Sequence, residues 1–173
     1  WENRFTFWKY NLRYEPRNAI AYNNLGNYYF QKKEFEKALN HYNLALKYNP
    51  DFSKAYLNLG LVFLEYKEAQ KAIEYFRKAI KKDPTCYEAY NNIGNLLLKD
   101  NKIDDAIIAY QKVLKIAPQA GVYYNLGIAF AKKGLYKKAL ECFKIFVKYW
   151  QGDYQKIQQA LINIKKLEKL IKK

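Results

Sequence analysis

The sequence predicts an all-α fold: a right-handed α-solenoid of repeated helix pairs closed by a C-terminal capping helix. Three observations lead there. Gly26, Gly60, Gly94 and Gly127 recur at intervals of 34, 34 and 33 residues. Around each glycine the same apolar residues return at helical spacing. Pro50, Pro84 and Pro118 close successive copies, where a residue without an N–H stops a helix. A fixed period of this length means stacked units rather than one globular core.

The leading stretch, residues 1–18, reads as the second half of another repeat. Phe5, Trp8 and Leu12 fall where such a helix packs inward, and Pro16 stands at its stop. Four copies follow on a common frame: Ala19–Phe52, Ser53–Cys86, Tyr87–Gln119 and Ala120–Asp153. Their fourth position is Tyr22, Tyr56, Tyr90 and Tyr123, their seventh Leu25, Leu59, Ile93 and Leu126, and their eleventh Tyr29, Phe63, Leu97 and Phe130. These make one stripe on a first helix. The second helix carries Ala38, Ala72, Ala106 and Ala139, with Tyr42, Phe76, Tyr110 and Phe143 four residues later. Glycine inside a helix costs about 1 kcal/mol against alanine. Keeping it in every copy implies a close helix approach, with each glycine expected to face the alanine of its own repeat. Residues 154–173 form the expected capping helix, started by Asp153 as N-cap. Its apolar stripe is Ile157, Leu161, Ile164, Leu167 and Ile171, with lysines mostly elsewhere. A basic amphipathic helix lying on a membrane surface is the alternative for this segment.

The pattern resembles the tetratricopeptide repeat family over about four-fifths of the chain. Val113 and Phe146 stand where that family prefers a small residue, and Gln151–Gly152 replaces the last proline. The resemblance implies a non-catalytic interaction domain.

The rest of the sequence agrees with that implication. The single histidine, His41, is expected on the outer side of a second helix. No His or Cys cluster has metal-ligand spacing, and no nucleophile elbow or phosphate-cradling glycine loop occurs. We therefore expect no catalytic residue, metal or cofactor. Asp104–Asp105 lie at a helix start, where they favour its dipole. Cys86 and Cys142 sit two repeats apart and are not expected to pair. The net charge is +15, with twelve lysines against Glu141, Asp153 and Glu168 in residues 132–173. Such an end attracts acidic surfaces, but lysine without interleaved arginine reads bases poorly. Specific nucleic-acid recognition is not expected. No apolar run is long enough to span a membrane. The chain starts at Trp1 and lacks methionine, as expected of a piece cut from something longer.

A binding surface remains. In a stack of this family the first helices line the concave face, with positions two, five, six, nine and thirteen directed into it. Position six is Asn24, Asn58, Asn92 and Asn125. A side-chain amide offers donor and acceptor together, so it pairs with a peptide backbone whatever the side chains. With first helices about 10 Å apart, such a ladder holds an extended chain at every third residue or so, since each spans roughly 3.3 Å. The ladder resembles the asparagines that line the groove of nucleocytoplasmic O-linked N-acetylglucosamine transferase and touch peptide backbone there. Around it lie Asn23, Asn27, Asn91, Asn95, Lys54, Glu88, Leu57, Leu61, Tyr124 and Ile128. The alternative is that the asparagines serve only repeat folding. Chaperone-binding repeats clamp a carboxylate with Lys, Asn, Asn, Lys and Arg. The matching residues here are Asn23, Asn27, Asn58, Glu88 and Asn92, so such tails are not expected as partners.

Trp1, Phe7–Trp8, Pro16 and Asn18–Ala19 resemble the junction between the last membrane helix and first repeat of multi-pass O-mannosyltransferase-like proteins. That resemblance implies an acceptor-recruiting domain on the periplasmic or lumenal face of a membrane glycosyltransferase. The competing expectations are a cytoplasmic scaffold for a multiprotein complex, and an anionic membrane or nucleic-acid binder acting through Lys156–Lys173.

Overall fold

The computed structural model describes residues 2–172 and is helical throughout its elements. Among the described residues there are ten helices and no strand. The chain divides into two compact units, one ending at Ala89 and the other beginning at Tyr90.

In the N-terminal unit, α1 spans Glu2–Tyr14 and ends two residues before Pro16. Asn18 starts α2 (Ala19–Gln31): its Oδ1 accepts the Ala21 N–H at 3.0 Å, and its Nδ2 donates to Glu15. That satisfies one of the orphan donors a helix start leaves. Phe5 of α1 stacks on Tyr28 at 4.4 Å between ring centroids. Then come α3 (Phe35–Tyr48), α4 (Ser53–Glu65) and α5 (Ala69–Lys82), with α3 and α5 each ending two residues before a proline. Ala21, Leu25, Ala38, Tyr42 and Ala45 are buried in the first pair, and Ala55, Leu59, Val62, Ala72, Phe76 and Ala79 in the second.

The partner of each repeat glycine differs from the expected one. A Cβ on Gly26 would stand 2.5 Å from Tyr42 Cε1, and one on Gly60 would stand 2.5 Å from the same carbon of Phe76. The ring four residues past the alanine occupies the space that a side chain on the glycine would fill. The alanine is buried, but the ring needs the missing methyl.

Most of α6 (Tyr87–Lys99) belongs to the C-terminal unit, which continues with α7 (Ile103–Ile116), α8 (Ala120–Lys132), α9 (Tyr136–Tyr149) and α10 (Tyr154–Ile171). The glycine–ring contact recurs, tight at Gly94 (2.7 Å to Tyr110) and looser at Gly127 (3.1 Å to Phe143). Asp104 at the start of α7 also pairs with Lys133. Asp153 caps α10 by accepting the Gln155 N–H at 2.8 Å. The buried side of α10 is Ala160 and Leu167, flanked by half-buried Ile157, Ile164 and Ile171. Leu161, assigned to the stripe above, stands 37% exposed. Spacings of three and four through Ala160 trace a straighter face along the helix, which leaves Leu161 at its margin.

Within each repeat the helices are joined by one left-handed residue: Lys33, Lys67 and Asn101 with φ of 60°, 60° and 59°, and Gly134 with φ of 79°. Only the last copy uses glycine there, the residue that adopts this conformation without a Cβ clash. No helix among the described residues is long and apolar enough to cross a membrane.

Candidate functional site

Most of the first-helix residues named above gather into four hollows, two in each unit. In the N-terminal unit Asn23, Asn27, Lys54, Leu57, Asn58 and Glu88 line a single cavity of about 360 Å³. Asn23 is 5% exposed and forms its floor, while Lys54 and Glu88 stand at the rim. Asp83 joins from the rim, its carboxyl held below the usual range chiefly by the Thr85 hydroxyl and backbone N–H. One lysine facing two acids is no clamp for a carboxylate.

The asparagines there are tied to one another. Asn58 Nδ2 donates to Asn23 Oδ1 at 2.8 Å and to Asn27 Oδ1 at 2.9 Å. Asn27 Oδ1 also accepts from the Tyr42 hydroxyl at 2.9 Å. Burial pushes the Tyr42 pKa well up, so that hydroxyl keeps its proton and remains a donor. The donor half of the Asn58 amide therefore joins α4 to α2. Asn24 turns its Nδ2 back onto the Ile20 carbonyl of its own helix at 2.9 Å. Asn24 and Asn27 also border a second cavity of about 420 Å³ against Phe5, Phe7 and Trp8.

In the C-terminal unit the same junction recurs in a more open form. Tyr110 donates its hydroxyl to Asn95 Oδ1 at 2.8 Å, and Asn125 Nδ2 donates to the same oxygen at 3.0 Å. Asn91, Tyr124 and Asn125 line a cavity of about 350 Å³ with Gln119, Trp150 and Lys156. Asn91 Oδ1 is buried there without a hydrogen-bond partner. Ile128 belongs to another cleft, beside α10. Leu61, Asn92 and Asn95 line none of these four hollows.

Two features escaped the sequence reading. The Tyr–Asn junction was signalled by co-occurrence: position nine is Asn27 or Asn95 where the second-helix ring is Tyr42 or Tyr110, and Leu61 or Ile128 where it is Phe76 or Phe143. Trp150 is the other. Its ring lies over Gly121 and Gly152, where added Cβ atoms would approach to 3.2 Å and 2.6 Å, and its indole N–H donates to the Asp153 carbonyl at 3.2 Å. Glycine at position two, unlike Ile20, Lys54 or Glu88, was the available sign.

His41 departs from expectation. It is half-buried in the seam between α2 and α3, Nδ1 2.8 Å from the Lys37 carbonyl oxygen and its ring 4.9 Å from that of Tyr29. Cys86 and Cys142 are both free and buried. Burial pushes the Cys142 thiol up to about 11 and raises that of Cys86. Neither is a poised nucleophile. No group of His, Cys, Asp and Glu among the described residues is arranged to hold a metal. Of the junction-like residues, Asn18 has its capping bond and Pro16 follows the end of α1, while Trp1 lies outside the described residues. So does Lys173, the last of the basic C-terminal stretch.

Comparison with known proteins bears on the family. A TPR repeat model matches residues 26–66, and tetratricopeptide repeat models match residues 68–121 and 120–144. No curated protein matches the chain. Among solved structures, a crystal structure of MamA is similar at 26% identity and a TM-score of 0.72, over 83% of this chain and 85% of that one. A second MamA crystal structure is similar at 26% identity and a TM-score of 0.69, over 83% and 79%. A Pseudomonas aeruginosa pilF structure shares the fold at 22% identity and a TM-score of 0.74, over 88% and 74%.

Proposed function

The chain belongs to the tetratricopeptide repeat family, and we propose that it is a non-catalytic scaffold that holds an extended peptide segment of a partner protein against its first helices. One observation carries this reading: Asn23, Asn27, Lys54, Leu57 and Asn58, from two successive first helices, converge on one hollow with an apolar wall and a mixed-charge rim. In the C-terminal unit Asn91, Tyr124 and Asn125 line a comparable hollow.

The asparagine ladder enters in altered form. The Nδ2 groups of Asn58 and Asn125 join neighbouring helices, so the ligand meets Lys54, Leu57, Asn91 and Tyr124 more directly than the position-six amides. Peptides selected from a random unstructured library on the whole chain test this. Burying a leucine side chain is worth about 1.5–3 kcal/mol, so Leu57→Glu should weaken the selected peptides at least about tenfold with helicity and melting temperature retained. Equal binding by the variant would remove the reading.

A second reading makes this scaffold the acceptor-recruiting arm of a membrane glycosyltransferase, favoured by Phe7–Trp8, Pro16 and Asn18–Ala19 ahead of the first repeat. Pro16 and Asn18 also have local reasons in the turn and cap. Membrane-spanning segments encoded directly upstream of Trp1 would support it, and a different domain there would end it.

A further inference from the structure

The geometry points to a second docking site, in the C-terminal unit: a cleft between α8 and α10 that takes an acidic segment of a partner protein through one bulky apolar side chain. The cleft measures about 410 Å³. Phe143 closes its floor, Ile128 and Ala131 of α8 form one wall, and Leu167 and Leu170 of α10 form the other. Lys132 and Lys166 stand at the mouth. Leu170 is 48% exposed although it lies on the inner wall, so the apolar lining opens to solvent.

Charge selects the occupant. Among the described residues neither Lys132 nor Lys166 has an ion-pair partner. The one acid of α10, Glu168, lies 3.7 Å from Lys144. Oppositely charged rims steer encounter and fix register while an apolar anchor supplies affinity. A second copy of this chain is a poor occupant, because each carries +15. A flat anionic bilayer meets the lysines but leaves the recess empty, whereas a Phe or Leu side chain fills it. Of the groove residues only Ile128 takes part. The inference rests on the chain being a protein binder but not on the groove in the N-terminal unit.

The test uses the whole chain and three fluorescein-labelled peptides followed by anisotropy: a central Phe-Leu flanked by Glu and Asp, the same core flanked by Lys, and Ala-Ala flanked by Glu and Asp. Only the first should bind. Leu170→Asp should weaken it at least about tenfold, from the lost anchor burial, and Lys166→Glu should weaken it severalfold with a shallower salt dependence. Leu57→Glu should leave it unchanged. Failure of the acidic Phe-Leu peptide to bind would overturn the inference. So would equal binding of the Ala-Ala peptide, displacement by phosphatidylserine–phosphatidylcholine vesicles, or loss with Leu57→Glu instead of Leu170→Asp. That last result would leave the groove standing alone, while library-peptide binding unchanged by Leu57→Glu would remove the groove and keep the cleft.

Discussion

Repeats one and three differ from repeats two and four at a correlated pair of positions. In the odd repeats a tyrosine, Tyr42 or Tyr110, lies on the repeat glycine and gives its hydroxyl to Asn27 or Asn95. In the even repeats a phenylalanine, Phe76 or Phe143, takes the same place on the glycine, and position nine is Leu61 or Ile128. The backbone is served equally by both solutions. A buried hydroxyl demands an acceptor, so a tyrosine there commits its repeat to asparagine, and that asparagine then also accepts the next repeat's amide. The polar choice thus joins neighbouring helices through directed bonds, where the apolar choice offers only packing.

The largest expected effect comes from crossing the two solutions. Asn27→Leu would leave the Tyr42 hydroxyl, on a side chain 1% exposed, and the Asn58 amide without their shared acceptor. The expected loss is about 1–3 kcal/mol, read as a shift in the denaturation midpoint. Adding Tyr42→Phe should recover part of that loss, giving a coupling energy of about 1 kcal/mol in a double-mutant cycle. Strict additivity would show that the hydroxyl does not need the amide. Asn95→Leu should cost less, since Asn95 is exposed and water can replace it.

The glycines sharpen the comparison next. A methyl at Gly60 would sit 2.5 Å from the Phe76 ring, and one at Gly127 would sit 3.1 Å from Phe143. Overpacking of a fitted core costs about 1–3 kcal/mol, against about 1 kcal/mol gained from helix propensity. Gly60→Ala should therefore lower stability clearly and Gly127→Ala by less, in parallel urea titrations. Equal losses would mean that the ring position in repeat four is as fixed as in repeat two.

The smallest effect is on the thiols and phenols. The folded pKa of Cys142 is raised to about 11 by burial, above the unfolded value. The neutral form is thus favoured by folding, and its contribution is fully present at neutral pH. It is lost as pH rises through the folded value, with Tyr42 and Tyr110 adding in the same direction. Stability should fall above about pH 9, and alkylation of Cys142 near pH 8 should be far slower in the native chain than in denaturant. Native labelling at the denatured rate would contradict its burial.

Helix identity and order were legible because glycine and ring punctuate each copy and proline the first three, and the α10 cap was written in Asp153. What those residues touch was less so. The alanine at the twentieth position and the ring four beyond it lie on one helix face, and periodicity cannot say which meets the glycine. The same limit applies to the amides. Spacing placed Asn58 on a first helix facing its neighbours, but whether its N–H points to a guest or to Asn27 depends on side-chain rotation. Trp150 was legible only through the glycine beneath it. His41 had the right helix and the wrong side, because one residue of rotation separates seam from surface.

The alternation of ring and ninth residue sets a grammar for anyone redesigning the chain. Copying Ala19–Cys86 as a block carries each tyrosine, its amide and the amide that follows as one sentence. Copying a lone even repeat yields an array with the phenylalanines but none of the directed bonds. Lengthening or trimming by two keeps the meaning of every junction, which makes the pair rather than the single repeat the natural building stone.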